Sequence, residues 1–106
     1  MAKYLIQSKL TAEGVKGLLK DGGSSRVEAV SKTAESLGGK LESYYFAFGE
    51  FDAYVILDLP DNVSAAAGAL VAASAGAFTT NTVVLLTPEE VDAATSKSVE
   101  YRPPGK

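Results

Sequence analysis

The stretch Lys40-Leu41-Glu42-Ser43-Tyr44-Tyr45-Phe46-Ala47-Phe48-Gly49-Glu50-Phe51-Asp52-Ala53-Tyr54-Val55-Ile56-Leu57-Asp58-Leu59 decides the fold. Two runs rich in aromatic and β-branched residues, Leu41 to Phe48 and Asp52 to Leu59, flank a glycine-bearing turn, the pattern of a β-hairpin. Pro60 ends the second run because it has no amide hydrogen to give to a ladder. Side chains alternate between the faces of a strand, so Ala53, Val55, Leu57 and Leu59 form an apolar row suited to lie under helices. Asp52, Tyr54, Ile56 and Asp58 then occupy the opposite face.

Loop length sets the partner strand. A loop from Gly49 to Phe51 pairs Phe48 with Asp52 and sends Glu42, Tyr44, Phe46 and Phe48 to the face of Tyr54, with Leu41, Ser43, Tyr45 and Ala47 beneath the helices. A two-residue loop exchanges the two sets. The longer loop is preferred because it puts Glu42 opposite Asp58 at the open end instead of opposite buried Leu57.

Outward from the hairpin, Tyr4 to Ser8 or Lys9 reads as a first strand, and Thr11 caps a short helix carrying Val15, Leu18 and Leu19, broken at Asp21-Gly22-Gly23. Ser25 with Glu28 three residues on forms a capping box for a second helix reaching Gly38-Gly39. Asp61 or Asn62 caps an alanine-rich helix through Ser74, whose small side chains suit close packing on the sheet or, as the alternative, a further oligomer contact. Thr80 to Leu86 is the last strand, and Thr87-Pro88-Glu89-Glu90 opens a short helix to about Ser96. The order βαββαβ predicts a ferredoxin-like α+β domain over residues 1–98, helices on one sheet face, with a C-terminal helix and an extended tail at 99–106.

Composition removes whole classes of chemistry. The chain has 106 residues, enough for one domain and its core. With no Cys and no His, disulfides, thiol nucleophiles, Cys/His zinc sites and histidine bases are excluded, and the reading calls for no metal and no cofactor. A net charge of -3 gives no reason to expect a nucleic-acid partner. Residues 1–40 carry seven basic and four acidic side chains, whereas 41–96 carry eight acidic and no basic ones. The uncharged stretch from Asn62 to Pro88 is interrupted too often by Ser, Thr, Asn and Gly to cross a membrane, and a cytoplasmic location is the default expectation.

On the preferred register, the helix-free face carries Tyr44, Phe46, Phe48, Tyr54 and Ile56 among Glu42, Asp52 and Asp58. Four strands present roughly 400 Å² there, comparable to the largest apolar patch of a monomer. Covering that face predicts a homodimer, with higher oligomers open, enclosing a cavity for a small apolar or aromatic molecule.

The hairpin motif Gly49-Glu50-Phe51-Asp52 followed by Ala53 to Asp61 resembles the GYD domain family. The resemblance covers nearly the whole chain, including Tyr4-Leu5-Ile6, the helix near Arg26, Gly38-Gly39-Lys40 and Leu85-Leu86-Thr87. Phe51 stands where the family name has tyrosine, so the phenol is missing. The resemblance implies a ferredoxin-like, dimeric α+β barrel arrangement and no established reaction. Similar hairpins occur in ligand-sensing regulator domains and in cofactor-free monooxygenases and isomerases, which supply analogy alone.

Three functions are therefore open: a homodimeric small-molecule binder using Tyr44, Phe46, Phe48, Tyr54 and Ile56, a cofactor-independent enzyme, and a structural or assembly protein without a ligand. In the enzyme Asp52 acts as acid or base with help from Tyr54. Asp52 equally suits a structural role, accepting turn hydrogen bonds. Ser24, Ser25 and Arg26 at a helix start offer hydroxyls and a guanidinium to an anion, or serve as a plain loop and cap.

Overall fold

The computed structural model describes all 106 residues. Its elements are β1 (Ala2–Leu10), α1 (Ala12–Asp21), α2 (Gly23–Ser36), β2 (Lys40–Phe46), β3 (Ala53–Leu59), α3 (Asn62–Ser74), β4 (Phe78–Leu85) and α4 (Pro88–Thr95). The four strands form one antiparallel sheet in the order β2-β3-β1-β4. This is an α+β fold with an open sheet whose edges are β2 and β4. The expected barrel arrangement is thereby corrected: no pairing joins the edge strands, so the sheet does not close.

The apolar row of β3 is buried as its alternation requires. Ala53, Val55, Leu57 and Leu59 join Tyr4, Ala34 and Ala65 in the core, beneath α2 and α3. Register carries that face across β1, where Tyr4 stands opposite Leu57 and Ile6 opposite Val55, and on to β4, where Thr82 stands opposite Ile6 and Phe78 opposite Leu10. Tyr4 also anchors α3, its phenol donating to Asn62 Oδ1 at 2.6 Å. Asp61 caps the same helix by accepting from the Ser64 amide at 2.9 Å and the Ser64 hydroxyl at 2.8 Å. Those bonds, the amide's first, hold its carboxyl below the ordinary carboxylate value.

One local reading of a helix start is corrected. Ser25 and Glu28 make no capping box, because α2 starts at Gly23, directly after Gly22 at φ 83° turns the chain out of α1. The start of α2 thus depends on a left-handed residue that glycine adopts without steric cost. The capping box of Thr87 with Glu90 is present and opens α4 behind Pro88. That helix buries no residue, and no helix or strand follows Thr95.

The hairpin register also differs from the expected one. Ala47 donates to the Asp52 carbonyl at 2.9 Å and Phe46 stands opposite Ala53, leaving the connection Phe48 to Phe51 between the strands. An even-numbered connection has the parity of the rejected two-residue loop. Tyr44 and Phe46 consequently point toward the helices with Val55 and Ala53, while Tyr45 shares the helix-free face with Tyr54. A bulge between Leu41 and Ser43 then restores the parity further along, so Leu41 stands opposite Leu57 and Glu42 reaches Lys3 beside Asp58.

Candidate functional site

Between the sheet, α2 and α3 lies a cavity of about 260 Å³. It sits under the helices, on the opposite side of the sheet from the face singled out by the sequence. Its floor is Val55, Leu57 and Leu59 of β3 with Ile6, and its roof is α3 and its C-cap residue, with the small Ala65, Gly68, Ala69, Ala72 and Ala75 and the larger Val71. Apart from Val71, these positions recur at helical spacing and carry small side chains, while Val63 and Leu70 of the same helix point to solvent, 78% and 72% exposed. The small residues of α3 do face the sheet, and beneath most of that stripe only methyl groups or hydrogens reach down into the space.

Arg26 is the one charged residue lining this space. Its guanidinium carbon lies 4.8 Å from the centroid of the Phe78 ring, a cation–π contact worth about 0.5–1 kcal/mol or more when shielded from water. Its Nε is buried and has no hydrogen-bond partner. The chain's ion pairs engage Lys3 and Lys16 and leave Arg26 out. A second space of about 200 Å³, between α1 and α2, shares Arg26 and adds Glu13 and Asp21, neither of which forms a salt bridge to it.

Tyr44 lines the same cavity, near this cation. Burial pushes its phenol above the ordinary tyrosine value, and the charge of Arg26 pulls partly the other way. At neutral pH the group is a protonated donor. Phe46 tilts against Tyr44 with ring centroids 5.0 Å apart and packs on Gly23 at the start of α2. The remaining polar groups of the lining are the hydroxyls of Ser8, Thr33, Thr80 and Thr82. Thr33 already donates to the Ala29 carbonyl at 3.1 Å.

The residues marked in the sequence are thus divided. Tyr44 and Phe46 lie on the helix side, Tyr54 and Ile56 on the helix-free side, and Phe48 stands fully exposed at the hairpin tip. Those five side chains do not form one surface. Phe51 packs edge-on against Tyr54 at 6.1 Å, and Lys9 lies 5.7 Å from the Phe51 ring. Asp52 is occupied in holding strands together: its Oδ2 accepts from the Leu10 amide at 2.8 Å and its own amide donates to the Ser8 carbonyl at 2.8 Å. Ser24 and Ser25 are exposed on α2, and of that trio only Arg26 reaches the cavity.

On the far face Lys3 Nζ donates to Glu42 and to Asp58, both at 2.9 Å. These acids pair within their own chain, and no group of three or more acidic side chains is placed to hold a metal ion.

The hairpin that Asp52 fastens to β1 lies within residues 4–95, the span matched by the GYD domain family. This chain belongs to the GYD domain family. The match spans all four strands and ends with α4. Neither the curated proteins nor the solved structures contain a match to it. In this GYD protein the motif's acid has a visible job, since Asp52 joins the hairpin to the end of β1. No helix is long and apolar enough to cross a membrane.

The sequence offered one route to the cavity that the hairpin argument passed over. Ala65, Gly68, Ala69, Ala72 and Ala75 stand on one helix face opposite the all-apolar row of β3, so small faces large where a close-packed core alternates the two.

Proposed function

We propose that this GYD-domain protein binds a small molecule in the cavity between its sheet and helices α2 and α3. The observation that carries the reading is the cavity itself, about 260 Å³ and lined chiefly by apolar side chains. Protein interiors are packed nearly as densely as organic crystals, so unfilled apolar space forfeits dispersion contacts. A ligand of matching size restores them. The volume lies just below the ~300–1,000 Å³ of pockets for drug-sized ligands and suits a smaller molecule.

The reading includes a homodimer. It is supported by the apolar surface left on α3, where Val63, Leu70 and Val71 face solvent, and by Tyr45, 71% exposed on the helix-free face. Sedimentation velocity at micromolar concentration should show a dimer that Leu70→Glu weakens; a wild-type monomer across that range removes this part of the reading.

Binding is tested with benzyl alcohol, an uncharged probe of suitable size, followed by amide and methyl NMR shifts. Resonances of Ile6, Val55 and Ala69 should move together and saturate. Ala69→Leu should fill the space and suppress the response while keeping the fold. Shifts confined to other surfaces, or a response unchanged in Ala69→Leu, would sink the proposal.

A further inference from the structure

We infer that the ligand of this cavity is a small monoanion with an apolar body, a carboxylate held by the guanidinium of Arg26. The inference rests on the reading of the cavity as a binding site and names what that site selects. An arginine remains charged at any physiological pH, and a cation partly withdrawn from water demands an opposite charge or a full set of hydrogen bonds. Arg26 has no opposite charge and no full set of hydrogen bonds within the chain: its Nε is buried without a partner, none of the ion pairs includes it, and the neutral Tyr44 phenol is the one side chain that approaches it as a hydrogen-bonding group. No carboxylate lines the cavity that it faces.

The geometry also says which anion. The Phe78 ring, 4.8 Å from the guanidinium carbon, makes no hydrogen bond to it, so the unpartnered Nε–H and its neighbouring donors remain for a planar, two-oxygen acceptor. Tyr44 adds a neutral phenol, and the hydroxyls of Ser8 and Thr80 complete the polar part of the lining. There is one cation and no lysine, so a monoanion is balanced while a dianion or a nucleotide polyphosphate carries excess buried charge. The space, equal to roughly nine waters at ~30 Å³ each, admits a benzoate or a hexanoate and excludes a nucleotide.

The test compares sodium benzoate with benzyl alcohol, and sodium hexanoate with hexanol, by calorimetric and NMR titration of the full chain. Wild type should bind each carboxylate at least about tenfold tighter than its alcohol. Arg26→Met should abolish that preference while leaving the alcohols bound, and Arg26→Lys should retain part of it. In wild type, benzoate should shift the Arg26 Nε–H resonance directly, a readout that needs no variant. Benzyl alcohol binding as tightly as benzoate, or an Arg26 Nε–H signal unmoved at saturating benzoate, overturns the carboxylate assignment and leaves the cavity reading standing. Failure of all four probes to reach Ile6, Val55 and Ala69 overturns both.

Discussion

The carboxylate of Asp52 accepts a hydrogen bond from the amide of Leu10 at 2.8 Å, at the point where the β1–β3 ladder runs out. Ser8 opposite Ala53 is the last backbone pair, and the amide of Asp52 still donates to the Ser8 carbonyl. Beyond it the side chain of Asp52 replaces the next ladder bond. Of the two roles the sequence offers for Asp52, acid or base and hydrogen-bond acceptor near the turn, the acceptor role is the one these bonds display, between β1 and the hairpin.

Removing that fastener has a graded consequence. Asp52→Ala leaves the Leu10 amide without its charged acceptor and should cost about 1.5–3 kcal/mol in urea unfolding. Asp52→Asn keeps an acceptor oxygen and should cost under about 1.5 kcal/mol. Equal losses in the two variants would show that the hydrogen bond is not what the residue contributes. Neither variant should alter binding of benzyl alcohol, because Asp52 does not line the cavity.

Two glycines of α1 should respond in opposite directions to the same substitution. A Cβ on Gly14 would collide with the Ala77 carbonyl oxygen, which cannot retreat because it accepts from the Thr11 amide at 3.0 Å. Gly14→Ala should therefore destabilise by about 1–3 kcal/mol. Gly17 has nothing within 4 Å of its position and lies in the interior of the helix. Gly17→Ala should stabilise by about 0.5–1 kcal/mol, as alanine restricts the unfolded chain and favours helix. Thermal unfolding of the pair, compared with wild type, decides both signs.

Much of the fold was legible because its determinants are local. Asp61 caps α3 and Thr87 with Glu90 boxes the start of α4 through contacts spanning three residues, which a sequence displays in full. The hairpin strands were visible in their side-chain types, but the register was not. It depends on a connection of even parity and on a bulge near Glu42, where Lys3, far away in the chain, draws Glu42 and Asp58 to one side. The site was hidden for a related reason. Arg26 reads as the first turn of a helix, and only the fold brings it against Phe78, while the alanines of α3 look like close packing until the width of the gap beneath them is known.

Lys3 bridges two strands through its two carboxylate partners, and its pH dependence has a definite sign. The hydrogen bonds it donates to Glu42 and then to Asp58 raise its pKa above the ordinary value of 10.5. The folded chain therefore holds this proton more tightly than the unfolded chain does. The associated stability is fully present below pH 10.5 and is lost as pH rises through the higher folded-state value. Urea unfolding of wild type and Lys3→Met from pH 8 to 12 should show the wild-type advantage constant up to about 10 and shrinking above it. An advantage that does not shrink above 10.5 would assign the role of Lys3 to packing of its stem.

Tyr44 supplies a second alkaline marker, placed inside the cavity. Burial raises its phenol above the ordinary value of 10.0, with Arg26 opposing. The folded state thus favours the protonated phenol. Its contribution is present below pH 10 and is lost as pH climbs through the raised value. Ultraviolet titration at alkaline pH should show a late-ionising tyrosine in wild type that is missing in Tyr44→Phe. In Arg26→Met the opposing charge is gone, so the same ionisation should move to still higher pH. If it moves lower or stays in place, the guanidinium does not act on the phenol, and the pairing of donors assigned to a carboxylate ligand loses one of its two members.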